Sequence, residues 1–411
     1  VLFLALCSLV VGLSLGTTQF YQLAYALFGL CGASLVLGLA GSRALGVERR
    51  MPRNAGINAG ESVNVGLRLT NASRLAASGV EVEDRLPHRH VSRPPSVPAG
   101  GEHLLETTVS FPRRGLYEIG PVRASSTDPL GLLRFRRDYG LAAELLVYPE
   151  IHDLPGLPVR SGGEWGGGPR PMSRSDEFSG LRDYRPGDDR RFVHWKSVAR
   201  TGKMVIKEFD PDAPRRFSVV LDLPASHGFA ARELEDAVST AASVISYLDE
   251  AGISYRLRLT DRDASSTGFG SGKGPGGDGP YHAAMRLLSA AEPASETDGG
   301  AGIGVALHEE ASEGSLGDVM ILITPGAPED ERRQSLAGSL RDLSALGVAA
   351  VAILTASHTY LPHKPGKGGE ERLSGIVDEI ESTGAAVRVL RRETGVAGLS
   401  PERTRDRVPG G

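Results

Sequence analysis

Residues 1–40 contain no Asp, Glu, Lys, Arg or His, and this absence limits what the start of the chain can become. Val1–Leu15 is apolar apart from Ser8 and Ser14. After Gly16-Thr-Thr-Gln-Phe-Tyr-Gln22 a second run extends from Leu23 to Ala40. At about 1.5 Å per residue, a helix over the second run comes close to the roughly 30 Å hydrocarbon core of a bilayer. The first run is short for a span, so the true start lies upstream or Val1 stands for an alternative start codon. Phe20 and Tyr21 fall where interfacial aromatics belong. A cleaved signal peptide fits less well: there is no basic leader and no small-x-small site, and a second apolar run follows. A soluble core hairpin would not lack charge for so long. Arg43, Arg49, Arg50 and Arg53 come directly after the second run, whereas the connecting turn is uncharged. The positive-inside rule therefore predicts a two-helix membrane hairpin with everything after residue 46 in the cytoplasm.

The 411 residues suffice for two or three domains. A formal net charge of -4 gives no general argument for nucleic acid as a partner. The only cysteines are Cys7 and Cys31, both in the apolar runs, so the rest has neither a disulfide framework nor a cysteine metal site.

Between residues 55 and 150 the pattern is that of short strands. SVNVGLRLT (62–70) and VEVEDRL (80–86) alternate with period two. HLLETTVSF (103–111), LYEIGPVRASS (116–126) and ELLVYP (144–149) follow, separated by Pro98-Ala-Gly-Gly101, Arg114-Gly115 and Asp128-Pro129. This predicts a β-sandwich of immunoglobulin-like build. Asn71-Ala-Ser73 is a glycosylation sequon that a cytoplasmic location would leave unused. From about residue 215, strands at 217–223, 254–260, 318–324, 347–355 and 385–392 alternate with helices at 231–252, 282–293, 328–346 and 370–383. That rhythm predicts a parallel sheet covered on both faces. Ligands of such sheets bind beyond the strands' carboxyl ends, which directs attention to Asp222–Ser226 and Thr324–Gly326.

Residues 174–210 set Phe178, Tyr184, Phe192 and Trp195 among many Arg and Asp residues around a Pro186-Gly187 turn. Asp176, Glu177, Asp188, Asp189 and His194 are acid/base types, and Arg182, Arg185, Arg190 and Arg191 could hold phosphate. No nucleophile has a triad-like partner, and Ser179 and Ser197 are not in an elbow motif. The favoured reading is a buried or interface network in which Arg and Asp pair around Trp195 and Tyr184. The run ASSTGFGSGKGPGGDGP (264–280) fails as a phosphate loop. Thr267 stands where its first glycine belongs and Gly274 follows Lys273, so a flexible glycine-rich loop is expected. Asp222 and Ser226 are the candidate oxygens for Mg²⁺, but two oxygens do not complete a site. His88 and His90 share one side of an extended segment and read as a surface pair.

Three ordered blocks carry a resemblance: GLYEIGPVRASSTDPLGLLRF (115–135), LLVYPE (145–150) and EFSGLRDYRPGDDRRFVHWKSVARTGKMVIKEF (177–209). They resemble the bacterial family called domain of unknown function 58. The likeness covers roughly residues 50–260, and the apolar start agrees with it. The α/β part resembles a von Willebrand factor type A domain. Of that domain's D-x-S-x-S metal motif Asp222 and Ser226 match, but Pro224 replaces the middle serine and Pro325 the later aspartate. The resemblance implies a protein that acts beside MoxR-type AAA+ ATPases, as a membrane-linked adaptor or in assisting protein assembly.

The expected fold is thus α+β and multidomain. A transmembrane hairpin at 1–46, with helices about 1–16 and 23–42, precedes the β-sandwich at 55–150. The family segment at 151–214, a doubly wound von Willebrand factor A-like domain at 215–397 and a tail at 398–411 follow. The expected function is a non-enzymatic, multi-pass membrane adaptor whose partners are the lipid bilayer and an AAA+ ATPase, with no nucleic acid and no cofactor. Tyr184, Pro186, Gly187, Asp188, Asp189, Arg191, His194, Trp195 and Arg200 form its structural or interaction site. The rival readings are a phosphate-directed hydrolase using Asp188 and Asp189, and a Mg²⁺-dependent ligand-binding domain at Asp222.

Overall fold

A computed structural model describes residues 1–51, 56–94, 96–128, 130–154, 178–185, 193–209, 216–224, 231–260, 266–274, 278–293, 303–304, 306–307, 317–324, 330–360 and 367–399. The chain divides into two compact units, Val1–Val147 and Tyr148–Gly411.

The first unit opens with helices α1 (Leu2–Leu15) and α2 (Thr18–Ala44). Gly16, at φ 64°, closes α1 in the left-handed conformation that glycine adopts most readily, and its N–H returns to Gly12 O. Thr17 is extended and α2 begins at once, five residues before the expected start at 23, because nothing in Thr18–Gln22 breaks a helix. Ala5, Ser8 and Gly12 are buried on α1, and Ala24 is buried on α2. Ser8 Oγ donates to Phe20 O at 2.9 Å. A Cβ on Gly12 would lie 3.2 Å from Phe20 Cβ, so a larger residue would push the two helices slightly apart. The large side chains, among them Leu2, Phe3, Leu6, Leu13, Leu23 and Val36, point outward.

Twelve strands follow: β1 (Leu45–Arg50), β2 (Ile57–Asn58), β3 (Ser62–Asn71), β4 (Ala77–Ser78), β5 (Glu81–Leu86), β6 (His88–Ser92), β7 (Ser96–Val97), β8 (Glu102–Ser110), β9 (Gly115–Ile119), β10 (Arg123–Thr127), β11 (Arg134–Asp138) and β12 (Ala143–Tyr148). They form sheets ordered β1-β3-β8, β11-β10-β5-β6, β2-β12-β9 and β4-β7. The period-two reading of 62–70 holds: Val63, Val65, Leu67, Leu69 and Asn71 all face inward. Val63 and Val65 pack with Ile57, Leu86, Phe111 and Val147. Leu67 and Leu69 pack with Leu45, Val82 and Val122. The expected single strand at 116–126 is two strands, broken at Gly120, whose φ is 87°. A Cβ there would meet Leu141 O at 2.7 Å, so the close approach requires glycine.

Two polar groups enter this core. Asp84 lies on the inward face of β5 and pairs with Arg49 of β1, their side chains 3% and 6% exposed. Arg49 Nη1 also donates to Leu141 O. Asn71 of the sequon is buried, and its amide donates to Leu75 O and Val97 O. It therefore holds a turn and is not offered to a glycan.

In the second unit β13 (Phe178–Asp183) and β14 (Val205–Phe209) form an antiparallel ribbon, and the short helix α3 (Trp195–Thr201) lies between them in sequence. Then come β15 (Phe217–Leu221), β16 (Tyr255–Leu259), β17 (Val319–Thr324), β18 (Ala349–Thr355) and β19 (Ala386–Leu390). These five strands are all parallel, in the order β16-β15-β17-β18-β19. Every residue of β15 and β17 is buried, as expected of central strands covered on both faces. Helices α4 (Ala231–Glu250) and α5 (Pro280–Ala290), with Asp330–Ala345 and Lys367–Glu381, complete the alternation read from the sequence. Helix α4 buries Leu234, Ala237, Val238, Ala241, Val244, Ile245 and Leu248, the stripe that a 3.6-residue period produces.

The described part of the glycine-rich segment is held to the sheet, against the flexible loop expected. Antiparallel bridges Tyr255–Gly270 and Arg258–Ser266 attach it to the outer edge of β16. Beyond the turn, Gly272 N–H donates to the Asp249 carboxylate at 2.5 Å.

Candidate functional site

Two places deserve a chemical reading, the carboxyl edge of the parallel sheet and the ribbon that carries the motif residues. At the sheet edge the strands end in threonine: Thr260 follows β16, Thr324 closes β17 and Thr355 closes β18. Asp222 follows β15 and is 2% exposed. Thr260 Oγ1 donates to Asp222 Oδ1 at 2.9 Å, and Thr324 Oγ1 donates to Oδ2 at 2.8 Å. Thr260 Oγ1 in turn accepts Leu223 N–H at 2.8 Å. One carboxylate thus ties together the ends of three neighbouring strands.

A second carboxylate repeats the device. Glu233, in the first turn of α4, is fully buried. It accepts the hydroxyls of Thr355 and Ser357, the latter at 2.7 Å. One turn along α4, Asp236 accepts the hydroxyl of Tyr360 at 2.9 Å. Burial and that carboxylate push the Tyr360 phenol far above its ordinary value. A hydroxyl that donates to a carboxylate has its proton committed, so the edge is built to hold strands and helix together.

It does not fit a hard divalent ion. Among the described residues, Asp222 already accepts a hydroxyl on each oxygen and Pro224 lacks the motif's middle hydroxyl, while Pro325 lies outside them. Ser226 lies outside the described residues. Among those residues no group of three His, Cys, Asp or Glu side chains gathers as metal ligands. His88 and His90 lie on one face of β6, at the surface of the first unit.

On the ribbon, Tyr184 is half-buried and its N–H donates to Met204 O, while His194 N–H donates to Val205 O, both at 3.0 Å. His194 Nδ1 lies 2.7 Å from Ser197 Oγ at the start of α3. Arg200 is exposed in the last turn of α3. Pro186, Gly187, Asp188, Asp189, Arg190 and Arg191 lie outside the described residues.

Trp195 corrects the buried form of the expected network and leaves the interface form open. It is 62% exposed, and Asp188, Asp189, Arg190 and Arg191 lie outside the described residues. Val193 bridges Ile206 and both are buried, so they take the inward places. The chain then turns into α3 at His194, and the first helical residue faces out. Met204, beside β14, is also exposed. Among the described residues, a buried pairing of Arg with carboxylate is found at Arg49 and Asp84.

Sequence reasoning missed Glu233, Thr355 and Ser357. A signal was present: Leu259-Thr260, Ile323-Thr324 and Leu354-Thr355 each close a buried strand with the same polar residue.

The molecule is therefore an α/β domain with a polar strand-end belt, preceded by short antiparallel sheets and an apolar helix long enough to cross a membrane. Residues 180–320 match the family described as Protein of unknown function DUF58, so the resemblance carried by the motifs is shown over that region. Its description assigns no reaction. The chain is 28% identical over 142 residues to "Uncharacterized protein YeaD" of Bacillus subtilis, covering 32% of this chain and 33% of that protein. The match thus spans about a third of that relative's length. Among solved structures, the von Willebrand factor type A protein from Catenulispora acidiphila is 18% identical, with a TM-score of 0.31, covering 46% of this chain and 41% of that one. The CARDB domain of PF1109 from Pyrococcus furiosus is 16% identical, with a TM-score of 0.19, covering 25% of this chain and 92% of that domain.

Proposed function

We propose that this chain is a non-enzymatic, membrane-anchored adaptor whose second unit docks a partner protein, a MoxR-type AAA+ ATPase. Helices α1 and α2 form the anchor as a hairpin, the sheets of the first unit form a sandwich-like stalk, and everything after residue 46 lies in the cytoplasm. The exposure of Trp195 carries the docking reading. A large aromatic held outward on a short helix, within the family's motif segment, is the type of residue that anchors protein interfaces. The helix contact supports the anchor: small residues meet between α1 and α2 while leucines and phenylalanines face out, as in helices that pack within lipid. Arg43 and Arg50 support the orientation. Arg49 contributes less than the sequence suggested, because Asp84 neutralises it, and Arg53 lies outside the described residues.

The test is binding of a purified MoxR-type ATPase from the same cells to the full chain in lipid nanodiscs, followed by surface plasmon resonance with and without ATP. Saturable, nucleotide-dependent binding is expected. No binding in either condition would contradict the reading.

A further inference from the structure

The turn between β10 and β11 has an unusual composition for an exposed loop. Leu130, Leu132 and Leu133 are all exposed, at 39%, 45% and 40%. Their N–H groups are paired within the turn. Asp128 is buried, and its carboxylate accepts the N–H groups of Leu130 and Leu133 and interacts with that of Leu132. Gly131 N–H donates to Asp128 O, and Asp128 N–H donates to Leu133 O. A tip whose N–H groups are paired within the chain and whose leucines face outward loses less on entering lipid than an open loop would.

Its position relative to α2 follows from a ladder of contacts within the first unit. Ser34 Oγ donates to the Asp128 carboxylate. The Phe135 ring occupies the space over Gly38, where a Cβ would collide with it. Arg137 Nη1 donates to Arg43 O at 3.2 Å, and Tyr139 Oη to Leu45 O at 2.6 Å. Strand β11 therefore runs along α2 in the same direction, and the leucine tip lies towards the middle of the apolar helix. About 14 Å of helix rise separates Ser34 from Arg43. On that stretch of α2, Leu35, Leu37 and Leu39 are exposed too. Arg134, Arg136 and Arg137 follow the tip and are exposed, Arg134 reaching Glu81 at 3.6 Å. Basic side chains just behind an apolar tip suit anionic headgroups.

We propose that the Leu130–Leu133 tip inserts into the lipid bilayer beside α2, with Arg134, Arg136 and Arg137 at the headgroups. The inference rests on the anchor reading above, and adds a second membrane contact that fixes how the first unit sits on the lipid surface.

The experiment places a single cysteine at Leu132, with Cys7 and Cys31 changed to serine, and labels it with an environment-sensitive fluorophore. The full chain is reconstituted in vesicles of phosphatidylcholine and phosphatidylglycerol. Doxyl groups on the acyl chains test lipid contact, and aqueous iodide tests water contact. Matched cysteines at Leu35 on α2 and Leu116 on β9, both exposed, serve as references. The expected result is lipid quenching at 132 and 35 with iodide quenching at 116. Lipid quenching at 35 but iodide quenching at 132 would overturn the insertion and leave the anchor standing. Shielding of 132 from both quenchers would overturn it in favour of a covering protein or second copy. Iodide quenching at both 35 and 132 would remove the anchor as well.

Discussion

Asp84 and Asp222 are each 2% exposed, one in each unit, yet they are satisfied by different chemistry. In the first unit Asp84 faces the guanidinium of Arg49. In the second, the hydroxyls of Thr260 and Thr324 donate to the two oxygens of Asp222. The ion pair is a matched couple, in which removing either charge strands the other in a desolvated place. Hydroxyls can rotate and either donate or accept, so the threonine belt adapts to a change of its acid. The first unit should therefore be brittle towards loss of charge and the second tolerant of it.

The sharpest way to break that comparison is to remove the same charge from each. Asp84→Asn should destabilise the first unit by about 3–5 kcal/mol, because Arg49 loses its counter-charge. Asp222→Asn should cost the second unit only about 1 kcal/mol, since the threonine hydroxyls can reorient towards the amide. Amide hydrogen exchange read by mass spectrometry reports on each unit separately. Equal losses would defeat the contrast.

Thr355→Val tests the belt from the other side. It leaves Glu233 with one donor fewer, and about 1–2 kcal/mol should be lost around β18 and α4. A change confined to surface amides would argue that Thr355 fills space and does not tie the strand.

Much of this was legible in the sequence. Alternation in Ser62–Asn71 and the apolar stretches of β15, β17 and β18 announce half-buried and fully buried strands, because burial on one face or two dictates the period. Trp195 was not legible: an aromatic among charges reads equally as a buried anchor or an exposed one, and the bridge of Val193 to Ile206 decides between them. Nor was Glu233, since an acid in the first turn of a helix reads as a solvated charge compensating the helix dipole. Only the folded register brings it to the end of β18.

Two smaller effects concern pH within the second unit. His282 is buried with Nδ1 at 3.0 Å from the Tyr148 hydroxyl, and burial, with Arg286 and Lys273 nearby, lowers its pKa. The unfolded chain then takes up that proton first, so stability should fall as pH drops through the ordinary histidine range. Replacing His282 with Gln should flatten that slope in a pH series of melting temperatures. An unchanged slope would assign it to other groups.

Glu370 behaves as an acid with partners at the surface. Its bond to Arg391, reinforced by His358, lowers its pKa. Its contribution is present above the ordinary carboxylate range and lost as pH falls through the lowered value. Because the side chain is 54% exposed, Glu370→Gln should cost only about 0.2–1 kcal/mol, read as a slight drop in melting temperature at neutral pH. A larger loss would show that the belt extends to this helix.

Under the docking proposal, Trp195 serves a partner and not the core. This is tested most directly by Trp195→Ala in the full chain, with melting temperature and affinity for the AAA+ ATPase measured on one preparation in nanodiscs. The account predicts an unchanged melting temperature and affinity weaker by roughly tenfold or more, as loss of an interface anchor gives. A melting temperature lowered as for a buried aromatic, or an affinity equal to that of the unsubstituted chain, would contradict it.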